Sequence, residues 1–406
     1  MPKLSINLFL KLLLFIPFLV PIIFIILIKK FVLIRFGEIE TRAIGHYGLP
    51  IEIYLSEKDL GLNNTNQKTY DIWIRNKKVA NNFLLKKWKT YLNIYPPYFK
   101  LIWIFFRKFK FGKDFLIPYR HWMDYSEKWP NVGSQMRDIH GVLSKTKSHL
   151  KFTNEEKKIA DQFFSKNNIT DKIIIFFARD SNYREKKLSI TVNEAEIRNC
   201  SIDTYKYTIL NMMKKYTCIR MGSDPEKKLD IKNRKFIDYS FSNYKSDLND
   251  LYILSKSHFI VSSGSGFDQL GIMFRRPVVL VNAVENEYRY NPIFNSPIKL
   301  FIPKKIFSHE KKRLLTFREI FEIGAHNLNM TSKYIARKLS VINNTAEEIN
   351  DVVMEMDKRL SGDWEETQEN IDLQSKYWQI NSFKDMPKFE CKIGSKFLKN
   401  NINLLV

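Results

Sequence analysis

Cysteine is scarce in this chain. Cys200, Cys218 and Cys391 are the only three in 406 residues, an odd count with no Cys-x-x-Cys pair. That excludes a disulfide framework or a zinc finger and suits a reducing compartment. Phosphate-handling signatures are short as well. The one glycine-rich loop spaces its glycines as Gly264, Gly266 and Gly271, which is not G-x-G-x-x-G, and no lysine follows in Walker A register. Dinucleotide and ATP chemistry are thereby disfavoured. No Asp-x-Asp occurs, so the usual carboxylate clamp for a metal–diphosphate pair is missing. Acidic residues are in deficit, 43 against 66 Lys and Arg, giving a net charge of +23. The excess suits an anionic lipid surface or an anionic small ligand. Nucleic acid is not expected, because no RNA-binding aromatic signature and no basic low-complexity arm accompanies the charge. No internal repeat is present.

One long apolar run opens the chain. Leu12 to Ile28 is uncharged, and counted from Leu4 past Lys11 it is just long enough to cross a bilayer. No small-residue cleavage site follows, so a retained anchor is expected over residues 1–30, kinked at Pro17 and Pro21. Lys29, Lys30 and Arg35 favour a cytoplasmic body. A second membrane candidate is the stretch 98–113, where Trp103, Phe105, Phe106, Phe109 and Phe111 alternate with Lys100, Arg107, Lys108, Lys110 and Lys113. It reads equally as a core helix with a solvated basic side or as a face for lipid headgroups.

The body reads as α/β. Phe31 to Phe36 is a strand, followed by a loop ending Ala43-Ile44-Gly45-His46-Tyr47-Gly48. Ile51–Leu55 and Tyr70–Ile74 read as further strands, and Lys77 to Tyr91 as a helix. Thr153-Asn154-Glu155-Glu156 is a capping box opening a helix, and the Asn-Asn-Ile-Thr-Asp after it marks a domain boundary. From there strands and helices alternate: Lys172–Ala178, a helix capped by Ser201, Thr217–Met221, Lys235–Tyr239, a helix capped by Ser246 through Asp247, then Phe259–Val261, the loop Ser262-Ser263-Gly264-Ser265-Gly266, a short helix, and Val278–Val281. That is a doubly wound parallel sheet. The expected domains are 31–168, 169–345, and a helical, polar extension over 346–406.

Candidate site residues follow from the carboxyl edge such a sheet presents. Arg179, Arg220 and the loop Ser262–Gly266 all fall there. Free N–H groups and the helix dipole at the loop, with two guanidinium groups, make a diphosphate seat. His46 titrates near neutrality and is the candidate general base, with Asp180 in reserve.

The ordered set of segments Ala43–Leu55, Phe177–Asp180, Arg198-Asn199 before Ile202-Asp203, Ile219–Gly222, Ile237–Tyr239, Ser246–Tyr252, Ser262–Asn282, Leu314–Ile323 and Asn343–Trp364 resembles a family of bacterial glycosyltransferases with two Rossmann-like domains in a GT-B-like arrangement. The Arg179-Asp180 strand end is also similar to the donor-binding segment of fucosyltransferases, and the donor half more distantly to that of heptosyltransferases. Phe177 stands where the fucosyltransferases carry a histidine. The resemblance implies sugar transfer from a nucleotide-sugar to a glycan or lipid-linked acceptor in surface polysaccharide or lipopolysaccharide synthesis. It implies a site on the cytoplasmic side of a bacterial inner membrane with no metal or other cofactor. It adds Arg198, Asn199, Asp247 and Asn282 as donor or acceptor contacts. A nucleotide-sugar epimerase of the same architecture and a non-catalytic, membrane-tethered scaffold remain alternatives.

Overall fold

The computed structural model describes residues 16–119, 138–180, 196–284, 299–328, 330–380 and 391–406. Two parallel sheets organise it. The first holds three strands in the order β1 (Leu33–Ile39), β2 (Thr69–Arg75), β3 (Ile94–Tyr95). The second comprises β4 (Ile173–Phe177), β5 (Thr217–Arg220), β6 (Phe236–Asp238), β7 (Ser257–Ser262), β8 (Val278–Ala283), β9 (Lys299–Pro303) and, past a small antiparallel sheet of β10 (Lys305–Ser308), β11 (Arg313–Leu314) and β12 (Leu339–Ile342), the edge strand β13 (Lys392–Ile393). Its spatial order is β13-β9-β8-β7-β4-β5-β6, and every pair is parallel. The chain runs outward from β4 to β6, returns to lay β7 beside β4, and then runs out the other way. The winding reverses between β4 and β7, which is where open α/β sheets form their ligand crevice. β4, β7 and β8 are apolar runs buried almost throughout, as a sheet covered on both faces requires.

Several expectations are corrected. Ile51–Leu55 is not a strand but the middle of the helix Leu49–Asp59, with Pro50 in its first turn. All of Leu49 to Glu57 is buried, so the helix carries no polar stripe, and periodicity cannot tell such a run from a buried strand. The helix expected over 77–91 shrinks to Asn82–Trp88, started by Asn81, whose side chain accepts from Leu84 N–H. The tail is not simply helical: it supplies β9 to β13. Beyond Gly362 it folds back, with helix Gln368–Ile380 and the parallel edge strand β13, and Gln374 bonds both backbone groups of Ile393. The expected anchor shows as a twelve-residue helix, Ile16–Leu27, with Pro21 inside it. Among the described residues no helix is long and apolar enough to cross a membrane. The earlier part of the predicted anchor, before Ile16, lies outside the described residues.

The stretch 98–113 is the helix Lys100–Lys108 followed by the 3-10 turns of Lys110–Phe115. Ile102, Trp103 and Phe106 are buried in a cluster with Ile22, Ile25 and Phe36, and the basic residues Arg107, Lys108 and Lys110 face solvent.

The two sheets are tied by buried polar contacts. Arg275, at the turn before β8, reaches across to Glu52 in the helix of the first lobe: Nη2 donates to Oε1 at 2.8 Å, and Nε donates to the Leu143 carbonyl at 2.9 Å. Glu52 is fully buried. It also takes the His149 backbone N–H at 3.2 Å and lies 3.2 Å from His149 Nδ1, while His149 Nε2 lies 3.0 Å from Asp59. Burial works against the charged imidazole, but Glu52 and Asp59 outweigh it against the opposition of Arg275, and the His149 pKa is raised.

Removing one member of a buried pair strands the other charge. Glu52→Ala is therefore expected to cost about 3 kcal/mol or more, read as a lower melting temperature. The His149 contribution has a definite sign. Its folded pKa lies above the ordinary value of 6.5, so the stabilisation is complete below that value and disappears as pH rises through the folded pKa. Melting temperatures of wild type and His149→Gln should differ at pH 6 and converge in alkali; a gap that does not change with pH refutes the charged bridge.

Candidate functional site

The crevice between β4 and β7 is built from two chain ends that hold each other. Ser263, just past β7, accepts the backbone N–H of Arg179, just past β4, on its Oγ at 2.9 Å. Arg198 approaches from the segment before the helical turn Ile202–Tyr205, and its Nη2 donates to the Gly264 carbonyl at 3.3 Å. Asn199 gives its carbonyl to the buried Lys304 Nζ at 2.8 Å, as Ile197 does at 2.7 Å. Tyr205 lies wholly buried beneath, its hydroxyl 3.6 Å from Cys200 Sγ. Burial drives that phenol well above its ordinary pKa, so it serves as a neutral support.

The glycine-rich bend differs from the open anion seat expected of it. Helix Gly266–Met273 starts with a capping box in which Ser265 takes helix N–H groups and Asp268 takes the Ser265 N–H. The Ser262 hydroxyl donates to Asp268 Oδ1 at 3.0 Å, and Ser262 Oγ accepts Gly264 N–H at 3.3 Å. Ser262 and Ser263 are buried, as is Asp268. The helix end thus already carries a carboxylate of its own, which meets the dipole and repels a second anion. Asp268 went unnoticed in the sequence, although Ser265-Gly266-Phe267-Asp268 has the spacing of a capping box.

The first lobe enters the site at a point of backbone contact. A Cβ on Gly45 would lie 2.4 Å from Gly266 Cα, and one on Gly266 would lie 2.8 Å from Gly45 N. The helical turn Ile44–Tyr47 therefore rests directly on the first turn of helix Gly266–Met273, and Gly48 meets Leu270 just behind. This places His46, half-buried, beside the bend. Burial is the main influence lowering its pKa; Glu40 pulls it back up, and Arg198 and Arg42 push it further down. At neutral pH the imidazole is uncharged, the form a general base needs. Arg198 belongs to the other lobe, so the two lobes come close enough here for its charge to bear on His46.

Other predicted site residues are placed elsewhere. Arg220 ends β5, where it is 2% exposed, pairs with Asp238 at 3.2 Å and donates to the Lys227 carbonyl at 2.7 Å, so the guanidinium expected to face a diphosphate is engaged with protein groups. Asp180 accepts the Glu226 backbone N–H at 3.0 Å. Asp247 joins the lobes: its Oδ2 accepts Asn82 N–H at 2.7 Å and its carbonyl accepts Asn81 Nδ2 at 3.0 Å. Asn282, fully buried at positive φ, exchanges backbone N–H bonds with the Asn344 side chain and returns the same to Asn344. It braces the end of β8. Among the described residues no three His, Cys, Asp or Glu side chains gather as a metal-ligating set.

No protein-family model matches the chain, and no curated protein matches it. Solved structures align with it weakly. The glycosyl transferase family 9 protein from Veillonella parvula covers 76% of this chain and 97% of its own, at 10% identity and a TM-score of 0.39. E. coli ADP-heptose lps heptosyltransferase II covers 66% of this chain and 90% of its own, at 11% identity and a TM-score of 0.38. The wall teichoic acid polymerase TagF covers 82% and 90%, at 12% identity and a TM-score of 0.25. Likenesses at these scores decide nothing about activity, which has to be read from the site.

Gly45 is the residue this geometry leaves least room to change. Gly45→Ala drives a methyl into the backbone of Gly266, and overpacking of this kind costs about 1–3 kcal/mol. A melting temperature equal to that of wild type would show that the two turns do not meet.

Proposed function

We propose that the chain is a glycosyltransferase that moves a sugar from a nucleoside-diphosphate donor to a glycan or lipid-linked acceptor. The observation that supports this reading most is the meeting of a neutral histidine from one lobe with the β4–β7 crevice of the other, through glycine-to-glycine backbone contact. A group-transfer enzyme needs an acceptor base and a cationic donor site facing each other. His46 is the base in this reading: it takes the acceptor hydroxyl proton as that oxygen attacks the anomeric carbon. The bond to the donor's diphosphate oxygen then breaks, and the diphosphate leaves with the electron pair. Arg179, whose backbone bonds Ser263, and Arg198, bonded to Gly264, balance its charge. The bend Ser262–Gly266 acts as the floor that sets Arg179 and Arg198, with Asp268 locking it. We assign no metal to the transfer; the lack of an Asp-x-Asp pair in the sequence prompts that choice. A role in surface polysaccharide synthesis at the cytoplasmic face of a bacterial inner membrane is part of the same proposal.

Thermal-shift measurements against UDP, GDP, CDP, dTDP and ADP test the donor half. One diphosphate should raise the melting temperature more than its monophosphate does, and Arg198→Ala should weaken that ligand about tenfold or more, the worth of a charged hydrogen bond. Arg220→Ala should lower the melting temperature of the free chain without selectively removing the ligand shift. His46→Gln should keep the ligand shift and lose about a hundredfold or more in transfer rate. With a pKa below 6.5, His46 keeps the rate high down to mildly acidic pH, and the rate falls only as pH drops through that lowered value. No response to any of the five diphosphates would refute the reading.

A further inference from the structure

A helix that is apolar on all sides belongs where water is excluded. Helix Ile16–Leu27 has no charged residue, yet only one side of it is covered. Ile22 and Ile25 pack into the cluster of Ile102, Trp103 and Phe106. On the other side Val20 is 74% exposed, Ile23 54%, Phe24 60% and Leu27 70%, with Phe31 at 81% beyond the helix end. The spacing 20, 23, 24, 27, 31 is one continuous helical stripe, far from the scattered single apolar residues of an ordinary surface.

The stripe does not stand alone. Lys29 pairs with Asp114 at 2.6 Å and lies 5.4 Å from the Phe115 ring. That joins the end of the helix to the segment after Lys108. There Phe109 and Phe111 are both about half exposed and stacked, with centroids 5.6 Å apart, and Phe105 backs them at 4.8 Å from Phe109. Across residues 16–31 and 98–114 the sequence has Lys29, Lys30, Lys100, Arg107, Lys108, Lys110 and Lys113 against the single acid Asp114. Lys29 pairs with Asp114 and Lys100 with Glu38, and Lys30, Arg107, Lys108, Lys110 and Lys113 leave the face strongly cationic. Exposed apolar side chains beside a net-cationic surface are complementary to one surface in particular, an anionic lipid bilayer. Helix Ile16–Leu27 is packed against the lobe by Ile22 and Ile25, so it lies along the protein surface.

We propose that this face docks the protein on an anionic membrane, with helix Ile16–Leu27 lying in the plane of the interface and Phe109 and Phe111 inserting beside it. It goes beyond the transfer chemistry and is tested without turnover. The full chain is sedimented with vesicles of phosphatidylcholine alone and of phosphatidylcholine with phosphatidylglycerol. Binding should be at least tenfold tighter to the anionic vesicles, should weaken with added salt, and should be released by alkaline carbonate. The double variant Phe24→Glu, Leu27→Glu should lose at least tenfold in vesicle affinity with an unchanged melting temperature. Wild-type binding by that variant, or equal binding to both vesicle types, overturns the proposal. Carbonate-resistant binding overturns the in-plane geometry in favour of a crossing segment. A chain that dimerises through this face and ignores vesicles shows that a second copy covers it. An unreactive Phe24→Cys thiol in the lipid-free monomer shows that residues 1–15 do, and either result also overturns the proposal.

Discussion

Two helical turns can meet Cα to Cα only where neither carries a side chain at the contact, and the architecture here depends on one such meeting, Gly45 against Gly266. On either side of it the lobes are tied by directional polar contacts. Tyr47, next to His46, shares its hydroxyl with the backbone of Asn81, and the Asn81 side chain reaches the Asp247 carbonyl. On the far side Arg275 enters the first lobe to meet Glu52. Buried ionic contacts of this kind add little net stability, because desolvation consumes most of the attraction. What they supply is angle and register. With glycine contact in the middle and polar ties flanking it, His46 has little freedom to leave the mouth of the β4–β7 crevice.

The electrostatics of the bend follow from the same economy of space. A buried helix start must satisfy its N–H groups somehow, and this chain satisfies them from within, through Ser262, Ser265 and Asp268. An anion placed directly on that terminus would have to displace a buried carboxylate. Fixed guanidinium groups at the rim are therefore the better partners for a phosphate. Arg198 reaches the Gly264 carbonyl at 3.3 Å, whereas Arg220 is held by Asp238 and the Lys227 carbonyl. The same residue type is thus placed differently: Arg220 ends β5 with Asp238 beside it on β6, whereas Arg198 lies in the turn Glu196–Arg198.

Much of the second sheet was legible because its strands are short apolar runs bounded by capping residues: Ser246 and Thr153 start the helices that their spacing announces. The edge location of Arg179 and Ser263 follows from parallel strands alone. The misreadings share a cause. Ile51–Leu55 reads as a strand because burial on all sides of the helix erases the period that separates helix from strand. The strands at the tail are two to five residues long, too short to show alternation, and β13 joins the sheet across some ninety residues from β9. Asp247 and Asn282 sit in segments that resemble a functional family, but pattern similarity cannot tell a ligand contact from a brace. Their partners Asn82 and Asn344 are remote in sequence and only the fold brings them near.

Arg220 and Asp180 illustrate how a residue outside the crevice still bears on it. Arg220 takes the Lys227 carbonyl, and Asp238, its ion-pair partner, takes the Leu229 N–H at 3.0 Å. The segment after β5 is thereby pinned at two points. That pinning presents Glu226 N–H to Asp180 at the end of β4. Asp180 is thus oriented through a loop whose shape Arg220 and Asp238 set. Burial and the nearby guanidinium groups lower the His46 pKa, which keeps the imidazole neutral and able to accept a proton. Of the two bases that the sequence suggests, His46 is the one whose surroundings favour the uncharged form, while Asp180 holds the Glu226 backbone.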